Sequence, residues 1–212
     1  MKFFVLKHVV GAIDETDAEG VDVQTGDAEA CPHCGATISS LRWLPPYRVR
    51  LACYGKVLAD MVQTGGNDWL VSERFMKAWT AQRLQGIEQF ESAAVLRVRP
   101  KRLASTAQPY FHFRPALART TRIDWDRSRF VYKREPTCQV CGGKAMEEAI
   151  CRIRIDESSW SGEDLFRPWR LSGVVITTER VLDLKTKYGL HFHLIPIEEY
   201  IRDPDHKCGQ AN

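Results

Sequence analysis

Cys31-Pro32-His33-Cys34-Gly35 is the stretch that decides the fold, because Cys138-Gln139-Val140-Cys141-Gly142 repeats its pattern later in the chain. Two cysteines separated by two residues and followed by glycine form a knuckle. In a knuckle, backbone N–H groups point at the sulfurs and the glycine supplies a positive φ. One knuckle provides two thiolates, whereas a structural zinc is bound by four ligands in a tetrahedron. The sequence therefore predicts one zinc site with four cysteine ligands, namely Cys31, Cys34, Cys138 and Cys141.

Two other uses of the knuckles stay open at this point. Each knuckle could hold its own zinc, completed by other ligands. His206 and Cys208, near the end of the chain, could form an extra ligand pair. A redox Cys-x-x-Cys pair would need to begin a helix, and no helical pattern follows Cys34.

The chain contains seven cysteines, of which four lie in the knuckles. This usage favours metal binding in a reducing cytoplasm over disulfide bonds. Cys53 and Cys151 fall on the apolar faces of predicted strands, where cysteine usually serves as a small buried hydrophobe.

The segments that follow the two knuckles resemble each other. Residues 47–53 alternate apolar and polar like a half-buried strand, and residues 151–155 show the same alternation. Residues 70–75 and 175–181 each lead through a hydroxyl residue into Glu-Arg, which is typical of a capped helix start. We expect Gly86 to end the first helix and Gly189 the second.

These matches predict an α+β fold in which strands dominate. We expect two divergent copies of a zinc-knuckle/β-strand/helix/strand unit, joined through a shared zinc-ribbon-like site. The first copy would span residues 1–105 and the second residues 106–212, packed together as one compact unit.

Composition and charge are those of an ordinary globular protein. The chain has 212 residues, of which 44% are hydrophobic, and its net charge of +3 is too small to indicate a polyanion partner. The first ten residues are interrupted by Lys7 and His8, so we interpret them as a strand and not as a signal peptide. No apolar run is long enough to cross a bilayer.

Two segments have a biased charge. Residues 11–30 are rich in Asp and Glu, and we expect a polar loop that could dock a basic partner. Residues 97–137 are basic and contain interleaved aromatic residues, which are Tyr110, Phe111, Phe113, Trp125, Phe130 and Tyr132. Strand-like alternation at residues 111–114 and 129–133 explains part of this second pattern without any ligand.

No enzyme motif is present. The chain lacks a phosphate-binding loop, a dinucleotide fingerprint and a recognisable nucleophile. His191 and His193 lie two residues apart and could share one face of a strand, but we find no third partner for them in the sequence. We therefore expect a non-enzymatic protein with no catalytic residues.

The double motif resembles the myxobacterial double-CxxCG-motif family, whose members include immunity proteins paired with contact-delivered polymorphic toxins. The matching residues are Cys31, Cys34, Gly35, Cys138, Cys141 and Gly142, together with the stretch at 70–74. The resemblance implies a cytoplasmic protein that binds a cognate toxin and neutralises it. It names no residues that would contact the toxin.

The less favoured hypothesis is a zinc-ribbon protein that binds nucleic acid. The basic and aromatic segment at 97–137 motivates it, because aromatic rings among arginines suit the stacking of single-stranded bases. A third hypothesis, an enzyme that uses His191 and His193, has the least support.

Overall fold

The computed structural model describes residues 1–118, 120–143, 146–171 and 173–209. The strands are β1 Phe3–Lys7, β2 Thr16–Gly20, β3 Gln24–Ala30, β4 Thr37–Leu44, β5 Tyr47–Cys53, β6 Met61–Gln63, β7 Trp69–Ser72, β8 Glu91–Arg99, β9 Tyr110–Phe113, β10 Arg122–Ile123, β11 Arg129–Arg134, β12 Met146–Arg152, β13 Ile155–Asp156, β14 Leu165–Phe166, β15 Ile176–Thr178 and β16 His193–Pro196. The α-helices are α1 Glu73–Ala81 and α2 Glu179–Tyr188. Strands far outnumber helices, so the predicted strand-dominated α+β class is confirmed at this level.

Two sheets organise the molecule. A six-stranded sheet has the order β2-β5-β8-β9-β7-β6, and a four-stranded sheet has the order β14-β15-β1-β16. Within them, β5 and β8 are parallel, while the other neighbouring strands are antiparallel. β3 pairs with β4, β11 with β12 and β10 with β13, each as a separate two-stranded unit.

The two sheets exchange strands along the sequence. β1 lies between β15 and β16, which come from the second half of the chain. β9 follows the predicted boundary at residue 105, yet it lies between β7 and β8 of the first half. The boundary itself stays a prediction, but the segments on its two sides are interleaved. The end of the second segment, residues 210–212, lies outside the described residues.

Helix α1 begins where the sequence predicts and ends earlier. The Ser72 hydroxyl accepts a hydrogen bond from the Phe75 N–H at 3.2 Å, as an N-cap does. The helix ends at Ala81, so the prediction that Gly86 ends it is wrong. Gly86 instead touches the other half, because a Cβ added there would lie 1.8 Å from the carbonyl oxygen of Leu165.

Helix α2 ends as predicted. It finishes at Tyr188, and Gly189 takes the left-handed conformation at φ 59° that favours glycine. Its apolar face joins that of α1 in the main core, since Phe75 and Trp79 belong to the same buried cluster as Leu184. The two helices thus share one core and do not cover separate domains.

Residues 11–30 are not the loop predicted from their polar composition, because they contain β2 and β3. Two of the acidic residues here pair with arginines of the neighbouring strand β5. Glu19 lies 3.6 Å from Arg50, and Asp22 lies 3.4 Å from Arg48. Cross-strand ion pairs explain how a strand forms without an apolar face of its own.

A buried aspartate, Asp60, organises the start of α1. It accepts a hydrogen bond from the Ser72 hydroxyl and another from the His191 backbone N–H at 2.7 Å. Arg74 lies 3.5 Å from the same carboxylate and donates to the Gly189 carbonyl at 2.7 Å. This contact set ties the start of α1 to the end of α2.

Asp164 makes the corresponding contacts at the start of α2. It accepts hydrogen bonds from the Thr178 hydroxyl at 2.8 Å and from the Gln85 backbone N–H at 2.9 Å. Arg180 lies 2.9 Å from this carboxylate and donates to the Gln82 carbonyl at 3.2 Å. These contacts tie the start of α2 to the end of α1, whereas the contacts of Asp60 tie the start of α1 to the end of α2.

Candidate metal centre

The first knuckle lies at the tip of a hairpin. β3 leads into it and β4 leads away from it. The Cys31 N–H donates to the Ala36 carbonyl at 2.8 Å, and the Gly35 N–H donates to the Cys31 carbonyl at 2.9 Å. Gly35 has a φ of 70°, which is the positive value expected of this position.

The second knuckle repeats this local geometry between β11 and β12. The Thr137 N–H donates to the Gly142 carbonyl at 2.9 Å, and the Gly142 N–H donates to the Cys138 carbonyl at 2.8 Å. Gly142 has a φ of 80°. The next residue contributes directly to the sulfur cluster, since the Gly143 N–H donates to the Cys141 sulfur at 3.2 Å.

The two hairpin tips bring the four predicted cysteines together. Their Sγ atoms all lie within 4.8 Å of one another, and those of Cys34 and Cys141 are 3.5 Å apart. A zinc ion with four thiolate ligands at about 2.3 Å requires sulfur–sulfur distances of about 3.8 Å. The cluster therefore fits one tetrahedral metal ion, and Cys34 and Cys141 are too far apart to be bonded to each other.

The environment of the cluster favours thiolates at some positions and opposes them at others. Backbone N–H groups of Cys141 and Val140 lower the pKa of the Cys138 thiol to about 6, although burial opposes the shift. Burial raises the pKa of Cys141 to about 12. A metal ion removes this conflict, because its charge stabilises all of the thiolates at once.

The cluster is enclosed on most sides. Cys31, Cys138 and Cys141 are buried, whereas Cys34 is exposed. Apolar atoms of Ile38 and Trp169 pack against the buried sulfurs. A metal bound here by four cysteines would have no open coordination position for a substrate, so the arrangement suits a structural role.

The two histidines noted in the sequence do not form a metal site. The His193 ring nitrogen Nε2 lies 2.6 Å from a carboxylate oxygen of the buried Asp14. His191 precedes β16, and its backbone N–H is bound to Asp60. Among the described residues, the four cysteines are the one group of three or more metal-ligating side chains close enough to share an ion.

The expectation that the chain contains no disulfide is wrong. Cys151 is bonded to Cys208, and the bond ties the short 3-10 helix Lys207–Gly209 to β12. Neither residue is therefore a free hydrophobe or a metal ligand. Cys53, in contrast, is buried as predicted, and its thiol donates to the Val57 carbonyl at 3.1 Å.

A second polar cluster surrounds the buried His112, which the sequence did not single out. The His112 nitrogen Nε2 lies 2.8 Å from an Asp68 oxygen, and Tyr47 stacks on the ring with centroids 3.9 Å apart. The Tyr47 hydroxyl donates to Glu91 at 2.7 Å. These residues come from four different strands or their flanks, so no local motif could have revealed the cluster.

A scan of the sequence against models of known protein families found no match, and a search of curated protein sequences found no significant match. Among the described residues, no helix is long and apolar enough to cross a membrane.

Proposed function

We propose that this chain is a zinc-stabilised binding protein that neutralises a cognate, contact-delivered toxin. The clustering of four cysteine sulfurs within 4.8 Å carries the structural half of the proposal, because it fits a closed zinc site. The toxin-neutralising half rests on the resemblance of the double Cys-x-x-Cys-Gly arrangement to the double-CxxCG-motif family. We propose no enzymatic activity, since a four-cysteine zinc site stabilises a fold and does not bind substrate.

We further propose that the chain consists of two divergent copies of one unit, joined through this metal site. Each cysteine pair lies at a hairpin tip, and each helix starts beside a buried aspartate with the same set of partners. One zinc shared by both copies is favoured over one zinc per copy, because each pair supplies only two of the four sulfurs.

We place the protein in the cytoplasm, where reduced thiols stay available to a metal. The Cys151–Cys208 bond is uncommon for a protein of that compartment. Cell fractionation tests the placement: we expect the chain in the cytoplasmic fraction, and recovery of the chain only outside that fraction would contradict it.

Co-expression in a sensitive host tests the toxin-neutralising role. The partner to use is the product of a toxin gene adjacent to the gene for this chain, expressed with and without it. We expect growth to be restored by the wild-type chain and by Cys53→Ser, which leaves the cluster intact, and to be lost with Cys138→Ser. Continued killing in the presence of well-expressed, folded wild-type chain would refute this role.

Nucleic-acid binding is the second candidate. Arg50, Arg97 and Arg99 line a groove of about 640 Å³ together with Tyr54, although Asp17 and Glu19 line it as well. The aromatic residues that motivated this hypothesis are less suited to it, because Tyr110 and Phe113 are buried in the core. A mobility shift that weakens steeply with salt would support this candidate, and no shift at low salt would end it.

A further inference from the structure

A cleft of about 810 Å³ opens at the seam between the two halves of the chain. One wall comes from β3 and β4, another from the segment between α1 and β8, and a third from residues 161–163. The seam is held by backbone hydrogen bonds, since the Asp164 N–H donates to the Gln85 carbonyl at 2.7 Å. The walls are therefore fixed by the fold before any ligand arrives.

Carboxylates dominate the lining of this cleft. The acidic residues are Asp27, Glu29, Glu88, Glu91 and Glu163, whereas the guanidinium groups are those of Arg42 and Arg114. Arg114 already lies 3.4 Å from the buried Asp68, and Glu29 is already paired with the buried Arg167 at 2.8 Å. At the rim, Asp27 and Glu88 are exposed and have no ion-pair partner among the described residues. The lining therefore has more negative than positive side chains and would attract a cation.

His112 supplies a second and independent indication of a ligand. Its side chain is almost completely buried and lines the cleft. Its nitrogen Nε2 donates to Asp68 at 2.8 Å, and the other ring nitrogen, Nδ1, has no hydrogen-bond partner among the described residues. A buried polar atom without a partner is costly, so most native structures satisfy such atoms with a ligand, a water molecule or a side chain.

Glu91 is the nearest charged neighbour of this unpaired nitrogen. Its oxygen Oε2 lies 3.7 Å from His112 Nδ1, which is too far for a hydrogen bond. Burial raises the pKa of Glu91, but hydrogen bonds from Tyr47 and Gln89 and the nearby charge of Arg42 outweigh it, so the pKa is lowered. An unpaired ring nitrogen and a carboxylate held in its charged form therefore lie side by side without a hydrogen bond between them.

We propose that this cleft receives a single cationic side chain, an arginine or lysine, from a protein partner. Such a group carries several N–H donors, so it could bind Glu91 and also a His112 Nδ1 that carries no proton, while Asp27 and Glu88 attract neighbouring basic residues. The inference rests on the proposed function only for the identity of the partner, which would be the toxin. It also limits the docking role predicted for residues 11–30 to the part of this segment that lines the cleft. Most carboxylates of the segment are already paired within the protein.

Binding of an isolated arginine analogue tests the cleft without any toxin. The probe is N-acetyl-arginine amide, and N-acetyl-citrulline amide is its uncharged control of nearly equal shape. We expect the arginine analogue to bind saturably and to shift the ¹⁵N resonance of His112 Nδ1, and we expect the citrulline analogue to do neither. No saturable binding, or equal binding of the two probes, would overturn the proposal.

Two substitutions sharpen this test in opposite directions. Glu91→Gln should weaken binding of the arginine analogue by about tenfold, because it removes one charge-assisted hydrogen bond. Arg42→Ala should strengthen binding, because it removes the cation that faces Glu91 in the free protein. Asp183→Lys, an exposed site on α2 outside the cleft, should change nothing. If Glu91→Gln does not fold, the exposed pair Asp27→Asn and Glu88→Gln serves instead, and unchanged affinity in that pair would contradict the proposal.

The co-expression assay then separates the cleft from the proposed function. We expect Asp27→Lys/Glu88→Lys to lose protection, and the matched control Asp126→Lys/Asp183→Lys to keep it. Protection by both double variants would overturn the cleft as the toxin site while leaving the immunity role standing. Binding of the arginine analogue by a chain that fails to protect would support the cleft and refute the immunity role.

Discussion

In the first half of the chain β5 has seven residues and pairs with both β2 and β8. The segment predicted to match it in the second half, residues 151–155, is not one strand, because it is divided between the end of β12 and the two-residue β13, which pairs, among the described residues, only with β10. The second half carries the Cys151–Cys208 bond instead. Under the proposed two-copy arrangement, the buried aspartate networks are the feature that the two halves share, and the outer strands are the feature in which they differ. The centre depends on specific hydrogen bonds, whereas the periphery can be held by strand pairing or by a covalent link.

Disruption of the four-cysteine cluster should have the largest effect on the stability of the fold, because the cluster joins the two hairpin tips. We expect Cys138→Ser to lower the free energy of unfolding by at least about 4 kcal/mol, a fraction of the roughly 10–16 kcal/mol that zinc contributes in isolated finger peptides. Urea unfolding with and without a chelator measures this loss. Cys53→Ser, a buried thiol outside the cluster, is the control and should leave the metal content unchanged.

The disulfide should come next, and its effect should be confined to the second half. We expect Cys151→Ser to lower the free energy of unfolding by about 3 kcal/mol, since the bond closes a loop with a sequence separation of 57 residues. Hydrogen exchange should report faster opening at β11 and β12, with β5 and β8 unaffected. Equal loss of hydrogen-exchange protection at β11 and β12 and at β5 and β8 would show that the disulfide does not stabilise the second half alone.

The aspartate networks should give smaller and equal effects. We expect Asp60→Asn and Asp164→Asn each to cost about 2 kcal/mol, because each leaves buried donors with a weaker acceptor. Equal costs within about 0.5 kcal/mol would support equivalent centres in the two halves. A cost for one substitution and none for the other would contradict that equivalence.

The smallest difference should appear at the helix starts. The Ser72 hydroxyl caps α1 as well as donating to Asp60, whereas the Thr178 hydroxyl donates to Asp164 without capping α2. Ser72→Ala should therefore cost about 1 kcal/mol more than Thr178→Val in urea unfolding. The reverse order would show that the cap contributes less than the aspartate contact.

The sequence allowed the grouping of the four cysteines, both helix starts and the alternation of β5 to be predicted, because each follows from a local pattern. It did not allow β2 or β3 to be predicted, because some of their carboxylates pair with distant arginines, as Glu19 of β2 does with Arg50 and Glu29 of β3 does with Arg167. The end of α1 was missed for a related reason. Gly86 is required by its close approach to Leu165 of the other half, which helix periodicity does not contain.

The disulfide and the cleft depend equally on long-range placement. The number and spacing of the cysteines favoured metal binding, and Cys151 was assigned to the apolar face of a strand. Only the fold shows that Cys208 lies close enough to bond to Cys151. His112 and Asp68 are likewise brought together by adjacent strands, β9 and the start of β7. A pattern that spans two distant segments is visible only once their pairing is known.

Metal stoichiometry combined with the ligand environment tests the central claim most directly. Elemental analysis of protein purified without added metal should give one zinc per chain, and zinc X-ray absorption should show four sulfur ligands at about 2.3 Å. Two zinc ions per chain, nitrogen or oxygen ligands in the first shell, or a fully folded protein that contains no metal would contradict a single four-cysteine site joining the two halves.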